Sequence, residues 1–390
     1  SPSNGLVLEL QQAAAATVFN ETNHLDYPWQ LNNQNNNSIK FPDNLAPEWI
    51  KSIGGSGITN SVGDVVVSSD GDVFVMGTYQ YSNGPYNGIT VGTCYDSYSG
   101  AATHLYIAKF DSNGTCMWIQ TPKMSGDVGH FMYNAESDWS SGSLAIDSNK
   151  NVYLATSIFS MNNQGARTIF GNHSVYGDSG IIAKIDANGN WEWAKSTTYS
   201  SIMSLDVDYN GDIWYSYISS GGSYLQQYNS TGDLLFTHSL GNGMNVWDFA
   251  IGSSGDFLLT GVFLSFTCTN NGTSQSFSSG DWSPFILKLN PQGDCLWFAK
   301  TTATAANTLT FSIDVDSGEN SYITGRFHAQ LSFSNFTLST SGTQNGFVAK
   351  IDKFGDWQWA KQIECTCTTE GQSVLIDDSD QLYVTGSYNS

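Results

Sequence analysis

One ten-residue block recurs six times along the chain: GDVVVSSDGD (63–72), GSLAIDSNKN (142–151), MSLDVDYNGD (203–212), WDFAIGSSGD (247–256), FSIDVDSGEN (311–320) and QSVLIDDSDQ (372–381). Self-similarity of this kind constrains a fold more than local propensity does. Every copy must form the same supersecondary unit and bury its apolar face against the next. Each block is an apolar strand ending in an Asp/Asn/Gly/Ser turn. Each runs into a second strand: VFVMGTY, VYLATSI, IWYSYIS, FLLTGVF, SYITGRF and LYVTGSY. This is a β-hairpin with a short polar turn.

A second hairpin follows after a loop of variable length: LYIAKFDSNGTCMWIQ (105–120), IIAKIDANGNWEWAK (181–195), YLQQYNSTGDLLFTH (224–238), FILKLNPQGDCLWFAK (285–300) and FVAKIDKFGDWQWAK (347–361). Its last strand carries Trp118, Trp193, Phe236, Trp297 or Trp359, and Gln227 stands where the other copies have Lys. Two hairpins make one four-stranded antiparallel blade. The pattern therefore predicts an all-β, six-bladed β-propeller of four-stranded antiparallel blades. With 40% hydrophobic and 13% aromatic residues, the chain has the material for a large core.

The paired pattern, aKiDxxGxxxWak and then xxxDxxGnxYvtG, resembles the β-propeller repeat of bacterial secreted proteins often called SBBP. The resemblance covers about residues 47–390 and is carried by the six copies quoted above. It is a resemblance of fold and implies little about chemistry, because propellers host many functions.

The sixth copy is incomplete. The sequence ends at LYVTGSYNS, with no third or fourth strand after it. Propellers commonly close by borrowing strands from the N-terminus, and PEWIKSI (47–53), with Trp49 and Ile50, matches a fourth strand. The third strand is matched by NGLVLELQQ (4–12), which aligns with NGFVAKIDK (345–353). Leu6, Val7, Leu8 and Leu10 take its apolar positions and Glu9 the Lys position. The expected organisation is a donor strand in 1–12, an Asn/Gln-rich linker over 13–46 and a propeller over 47–390, its last blade completed by N-terminal strands.

The acceptor slot is expected to be lined by Trp49, Ile50, Tyr383, Val384 and Tyr388. A tight hairpin needs no such linker, and extended at about 3.3 Å per residue it would reach on the order of 100 Å. The expectation is therefore insertion of strand 5–10 into a neighbouring copy, head to tail, giving an extracellular homopolymeric filament. The alternative is a monomeric secreted or cell-surface propeller, closed in cis, that binds glycans or proteins.

Six cysteines suggest disulfides and an oxidising compartment. Cys116 and Cys295 each precede a blade Trp by two residues, and Cys94 and Cys268 each lie in the long loop before a third strand. The parallel placement predicts Cys94–Cys116 and Cys268–Cys295. For Cys365 and Cys367, a mutual bond, free thiols and an intermolecular bridge all stay open. Asn-x-Ser/Thr sequons at Asn20, Asn36, Asn113, Asn172, Asn229, Asn271 and Asn335 are candidates for covalent glycans.

The chain carries a net charge of −21 and only two arginines, Arg167 and Arg326. Such a surface repels nucleic acid and anionic lipid. No apolar run reaches the length of a membrane-spanning helix, so no membrane insertion is expected. Asp206, Asp208, Asn210 and Asp212 resemble the start of a calcium loop, but Tyr217 stands where the closing Glu belongs. The same segment aligns with the turn of every block, so the turn reading prevails there, as it does at Asp314 and Asp316. The histidines, His24, His104, His130, His173, His238 and His328, show no metal spacing. The expectation is a protein without catalytic residues, metal or cofactor.

Overall fold

The computed structural model describes residues 14–19, 53–54, 58–81, 89–97, 103–125, 129–131, 143–160, 167–176, 179–197, 202–220, 222–270, 272–305, 307–340, 344–363, 368–376 and 380–389. Every helix or strand among them is a β-strand. The chain divides into two compact units. One is built on Trp49–Leu240, the other on Gly241–Ser390 with the N-terminal strand Ala14–Phe19.

The unit on Trp49–Leu240 holds three antiparallel sheets whose strands lie in chain order. The first is Ile58–Val67, Val73–Tyr81, Thr103–Phe110 and Cys116–Gln120. In the second, Gly129–Phe131 and Ser143–Ile146 share the first position beside Val152–Ser160, followed by Ser179–Ile185 and Trp191–Thr197. The third is Ile202–Val207, Ile213–Ser219, Gly222–Tyr228 and Leu234–Gly241.

The other unit continues the series. Its fourth sheet is Met244–Ile251, Phe257–Asn270, Thr273–Leu289 and Cys295–Lys300. The fifth is Leu309–Val315, Ser321–Phe327, Asn345–Ile351 and Trp357–Ile363. The sixth has Thr368–Ile376, Leu382–Asn389 and then Ala14–Phe19, from the opposite end of the chain.

The repeated turn has a local cause. In the sequence Asp-x-x-Gly-x, the Asp side chain accepts backbone N–H groups two and four residues on: Asp186 Oδ1 accepts from Asn188 N (2.9 Å) and Asn190 N (2.8 Å). The Gly then takes the left-handed conformation that its neighbours cannot take cheaply; at Gly189 φ is +87°. A Cβ there would sit 3.0 Å from the Trp118 ring, so close approach also requires glycine.

The first strand of sheets one, three, four, five and six carries a register shift against its partner, at Val62/Asp64, Ile202/Ser204, Val246/Asp248, Thr310/Ser312 and Gly371/Ser373. A bulge of this kind turns backbone donors out of the ladder.

Within each unit, neighbouring sheets pack face to face. Phe74, Met76, Leu105 and Ile107 of the first sheet share a core with Leu154, Ile181 and Ile185 of the second. Leu258 and Ile286 of the fourth share one with Ile313, Ile323 and Phe347 of the fifth. The disulfides Cys94–Cys116 and Cys268–Cys295 are present as expected, with Cα separations of 5.7 and 5.2 Å. The second folds the long hairpin of the fourth sheet back, and Phe266 and Phe277 of that hairpin rest on Phe298.

Candidate assembly edge

The third strand of each sheet is where the sixth differs from its predecessors. In sheets one, four and five, a glycine on the second strand faces an aromatic on the third: Gly77 faces Tyr106, Gly261 faces Phe285 and Gly325 faces Phe347. All three rings are buried, and the first strand's backbone requires the glycine itself, since a Cβ would meet Asn245 O at Gly261 and Leu309 O at Gly325, each at 2.0 Å. In the sixth sheet Gly386 faces Ala15. Likewise Ala16 faces Thr385 where Val348 faces Thr324.

The third strand also carries an ionic anchor in four sheets. Lys109 pairs with Asp72 (2.9 Å), Lys184 with Glu192 (2.8 Å), Lys288 with Asp256 (3.2 Å) and Lys350 with Asp316 (3.4 Å). Lys350 Nζ also lies 4.7 Å from the centre of the Tyr322 ring. Burial pushes the Asp316 carboxyl up, but hydrogen bonds from Asn320 and Tyr322 and the nearby Lys350 outweigh it and hold its pKa below the ordinary value. In the third sheet the neutral Gln227 donates to Asp212 (2.9 Å) instead. With no cation there, burial and the nearby Asp208 raise the Asp212 pKa. In the sixth sheet the anchor position, facing Tyr383, is Val18.

Two devices join successive sheets inside each unit. The fourth-strand Trp donates its indole N–H to the next sheet's turn: Trp118 to Ala187 O (3.2 Å), Trp193 to Ser230 O (3.0 Å) and Trp297 to Lys353 O (2.9 Å). On the first strand, a residue at one fixed repeat position accepts a backbone N–H from the next sheet. Asp64 Oδ2 accepts from Leu144 N (2.7 Å), Ser143 Oγ from Leu205 N (3.2 Å), Asp248 Oδ2 from Ile313 N (2.9 Å) and Ser312 Oγ from Val374 N (3.2 Å).

Turns are clasped as well. Glu319 accepts from Ser253 Oγ (2.5 Å), Ser254 N (2.9 Å) and Lys288 Nζ (3.3 Å), and Asp380 accepts from Ser317 N (2.7 Å). Burial raises the Glu319 pKa, but these donors more than offset it and leave it lowered.

Of the expected assembly residues, Tyr383, Val384 and Tyr388 lie on Leu382–Asn389, with Val384 buried. Leu6, Val7, Leu8, Glu9, Leu10, Trp49 and Ile50 lie outside the described residues, as do Cys365, Cys367, Asn20, Asn36 and Asn271. The edge of Leu382–Asn389 is paired in cis by Ala14–Phe19, a strand inside the stretch read as linker. Three successive alanines at its start give it little apolar pattern in the sequence. Ile53–Gly54 pairs with Val91 and Thr90 as Thr302–Ala303 pairs with Ser332 and Leu331, and follows Trp49 at nearly the remove at which Thr302 follows Trp297.

The calcium-like segment resolves into a turn: Asp208 Oδ1 accepts from Asn210 N (2.9 Å) and Asp212 N (3.1 Å), and its other oxygen accepts from Trp214 Nε1 (3.1 Å). Among the described residues, no three His, Cys, Asp or Glu side chains are grouped to hold a metal. No described helix is long and apolar enough to cross a membrane. The inter-sheet acceptors Asp64, Ser143, Asp248 and Ser312 were missed. Their signal was available, as Asp or Ser at one fixed place in each block.

No family model matches the chain. A stretch of 161 residues, 36% of the chain, is 24% identical to an uncharacterized WD repeat-containing protein of Acanthamoeba polyphaga mimivirus, and the match covers 11% of that protein's length. Similar solved structures include the WD40 β-propeller domain of Doa1, at 12% identity and TM-score 0.39 over 86% of this chain and 93% of that one. The Dos1 propeller is 10% identical at TM-score 0.42, over 84% and 77%. A streptogramin B lyase is 11% identical at TM-score 0.38, over 85% and 98%.

Proposed function

We propose that this chain is a secreted, six-bladed propeller subunit that polymerises head to tail by exchange of its N-terminal strand. The observation that carries the reading is the mismatch at the sixth sheet. Its third strand comes from the far end of the chain and places Ala15 opposite Gly386, where sheets one, four and five place an aromatic.

Two N-terminal segments suit the same edge. Ala14–Phe19 holds it in cis. The segment 5–10, aligned on 345–353, sets Leu6 opposite Gly386 and three more Leu/Val side chains along the strand. Each large apolar side chain buried in place of alanine is worth about 2 kcal/mol. Leu6 and Val7 stand where the cis strand has Ala15 and Ala16, while Glu9 and Leu10 stand where it has Val18 and Phe19, so the leucine strand is the stronger occupant by about 2–4 kcal/mol before ordering costs, gained at the Gly386 end. One chain fills its own edge with only one of the two, and the 5–10 strand of a neighbour displaces the weaker alanine strand. Donor and acceptor are different surfaces, so repetition builds a filament. The two disulfides suit an oxidising exterior.

A paired-cysteine experiment tests this. Ala16→Cys and Thr385→Cys face each other in the cis pairing. Under assembly conditions, a doubly substituted chain that locks internally as a 42.4 kDa species supports the second reading, a cis-closed monomeric binding propeller. For the exchanged state, Val7→Cys with Thr385→Cys should give a ladder of disulfide-linked multimers on a non-reducing gel. Deleting residues 1–12 should abolish that assembly and leave the cis-closed chain folded. Polymers that survive the deletion would rule out 5–10 as donor.

A further inference from the structure

We propose that Asn113, Asn172 and Asn335 are acceptor sites for N-linked oligosaccharide, placed so that sugar shields the outer hairpins. The sequons alone do not single out these three, because Asn, Ser and Thr are abundant throughout. Their placement does. Asn172 and Asn335 occupy the same position in two equivalent outer hairpins. Arg167–Phe170 is joined to His173–Tyr176 by Gly171-Asn172, and Gln330–Phe333 to Phe336–Ser339 by Ser334-Asn335. In both, the residue before the Asn has positive φ, +56° at Gly171 and +51° at Ser334. The turn thus presents the asparagine at the hairpin tip, and both asparagines are exposed. Asn113 is exposed in the Asp111–Gly114 turn, closed by Gly114 N donating to Asp111 O (2.8 Å).

Asn229 has the same motif in a different state. Its Oδ1 accepts from Thr231 N (3.1 Å), Thr231 Oγ1 (2.7 Å) and Asp233 N (2.8 Å), and its Nδ2 faces Asp233 Oδ2 at 3.5 Å. That amide caps its own turn. Among the described sequons the Asn229 amide caps its turn and those of Asn113, Asn172 and Asn335 do not, although the sequon hydroxyls of Ser174 and Thr337 bond to Arg167 and Ser332.

The step is a glycosyl transfer from a lipid-pyrophosphate-linked oligosaccharide, the donor class this chemistry requires. Asn Nδ2 attacks the anomeric carbon and a C–N bond forms. The bond from that carbon to the pyrophosphate oxygen breaks with its electron pair on the phosphate, and the amide nitrogen gives up one proton. His173–Tyr176 and Phe336–Ser339 are edge strands of their three-stranded sheets, so sugar at Asn172 and Asn335 stands beside exposed strand edges. Bulk at an edge blocks edge-to-edge pairing.

The inference rests on secretion, as proposed above, and its test separates the two. The full chain is expressed in a eukaryotic cell line behind a secretory leader, and peptides are mapped from both medium and microsomal lumen after peptide-N-glycosidase F. Asn113, Asn172 and Asn335 should appear as Asp, and Asn→Gln at each should remove one step from the gel mobility ladder. The triple Asn→Gln variant should keep its melting temperature, since none of the three amides caps its turn. Recovery of the three as unmodified Asn in disulfide-bonded material overturns the inference and leaves the secreted reading standing. Sugar on Asn229 with the three bare overturns it equally.

Discussion

Glu319 holds a left-handed conformation, φ +66°, where sheets one, three and four have Gly71, Gly211 and Gly255. A non-glycine residue there costs on the order of 1 kcal/mol, offset by its bonds to Ser253, Ser254 and Lys288. Its folded pKa lies below the ordinary 4.5. The clasp therefore contributes in full above that value and is lost as pH falls through the lowered one. The urea midpoint should drop as pH is taken below 4.5, and Glu319→Gln should flatten that drop. Asp212 has the opposite sign. Its pKa is raised above the ordinary 3.8, so its burial weighs against folding at neutral pH and is relieved on acidification. Restoring the cation with Gln227→Lys should stabilise the chain by about 1 kcal/mol at neutral pH. A carboxyl titration followed by NMR should show the Asp212 pKa moving down.

Sheets are joined through few, specific bonds. Asp248 is the acceptor for Ile313 N across two sheets, so Asp248→Ala leaves a donor without it and should cost about 1–3 kcal/mol by urea unfolding. The Cys268–Cys295 bond closes a separation of 27 residues, and Cys268→Ala/Cys295→Ala should lower stability by about 3 kcal/mol. Both pairings were legible because each cysteine keeps a fixed place relative to a repeat landmark. The hairpins were legible too, since apolar strands and Asp-x-x-Gly turns are local properties. The Asp and Ser acceptors could be read as repeat positions but not as bonds, because the N–H comes from one sheet and the side chain that meets it from another.

At the scale of the whole chain, one sheet depends on a segment from the opposite terminus. Removal of residues 1–19 should leave Leu382–Asn389 with a bare edge, and the truncated chain should bind a synthetic peptide spanning residues 4–12. The expected result is a rise in melting temperature with peptide concentration, larger than with a peptide spanning 13–20, because Leu6 and Val7 would take the places at which Ala15 and Ala16 pair with Gly386 and Thr385. Equal shifts would remove the physical basis for exchange.

The sequence by itself determined the all-β class, the repeated hairpins, the turns and the two disulfide pairings. These follow from apolar spacing, turn chemistry and repetition, all properties of short stretches. Only the tertiary structure decided which segment lies against Leu382–Asn389 in a single chain, and that the third-sheet Asp212 is left with Gln227 in place of a cation. Strand pairing between distant segments is set by register and by how well side chains fill the facing gaps, and alanine-rich Ala14–Phe19 gives little apolar pattern to read until its partner strand is in place.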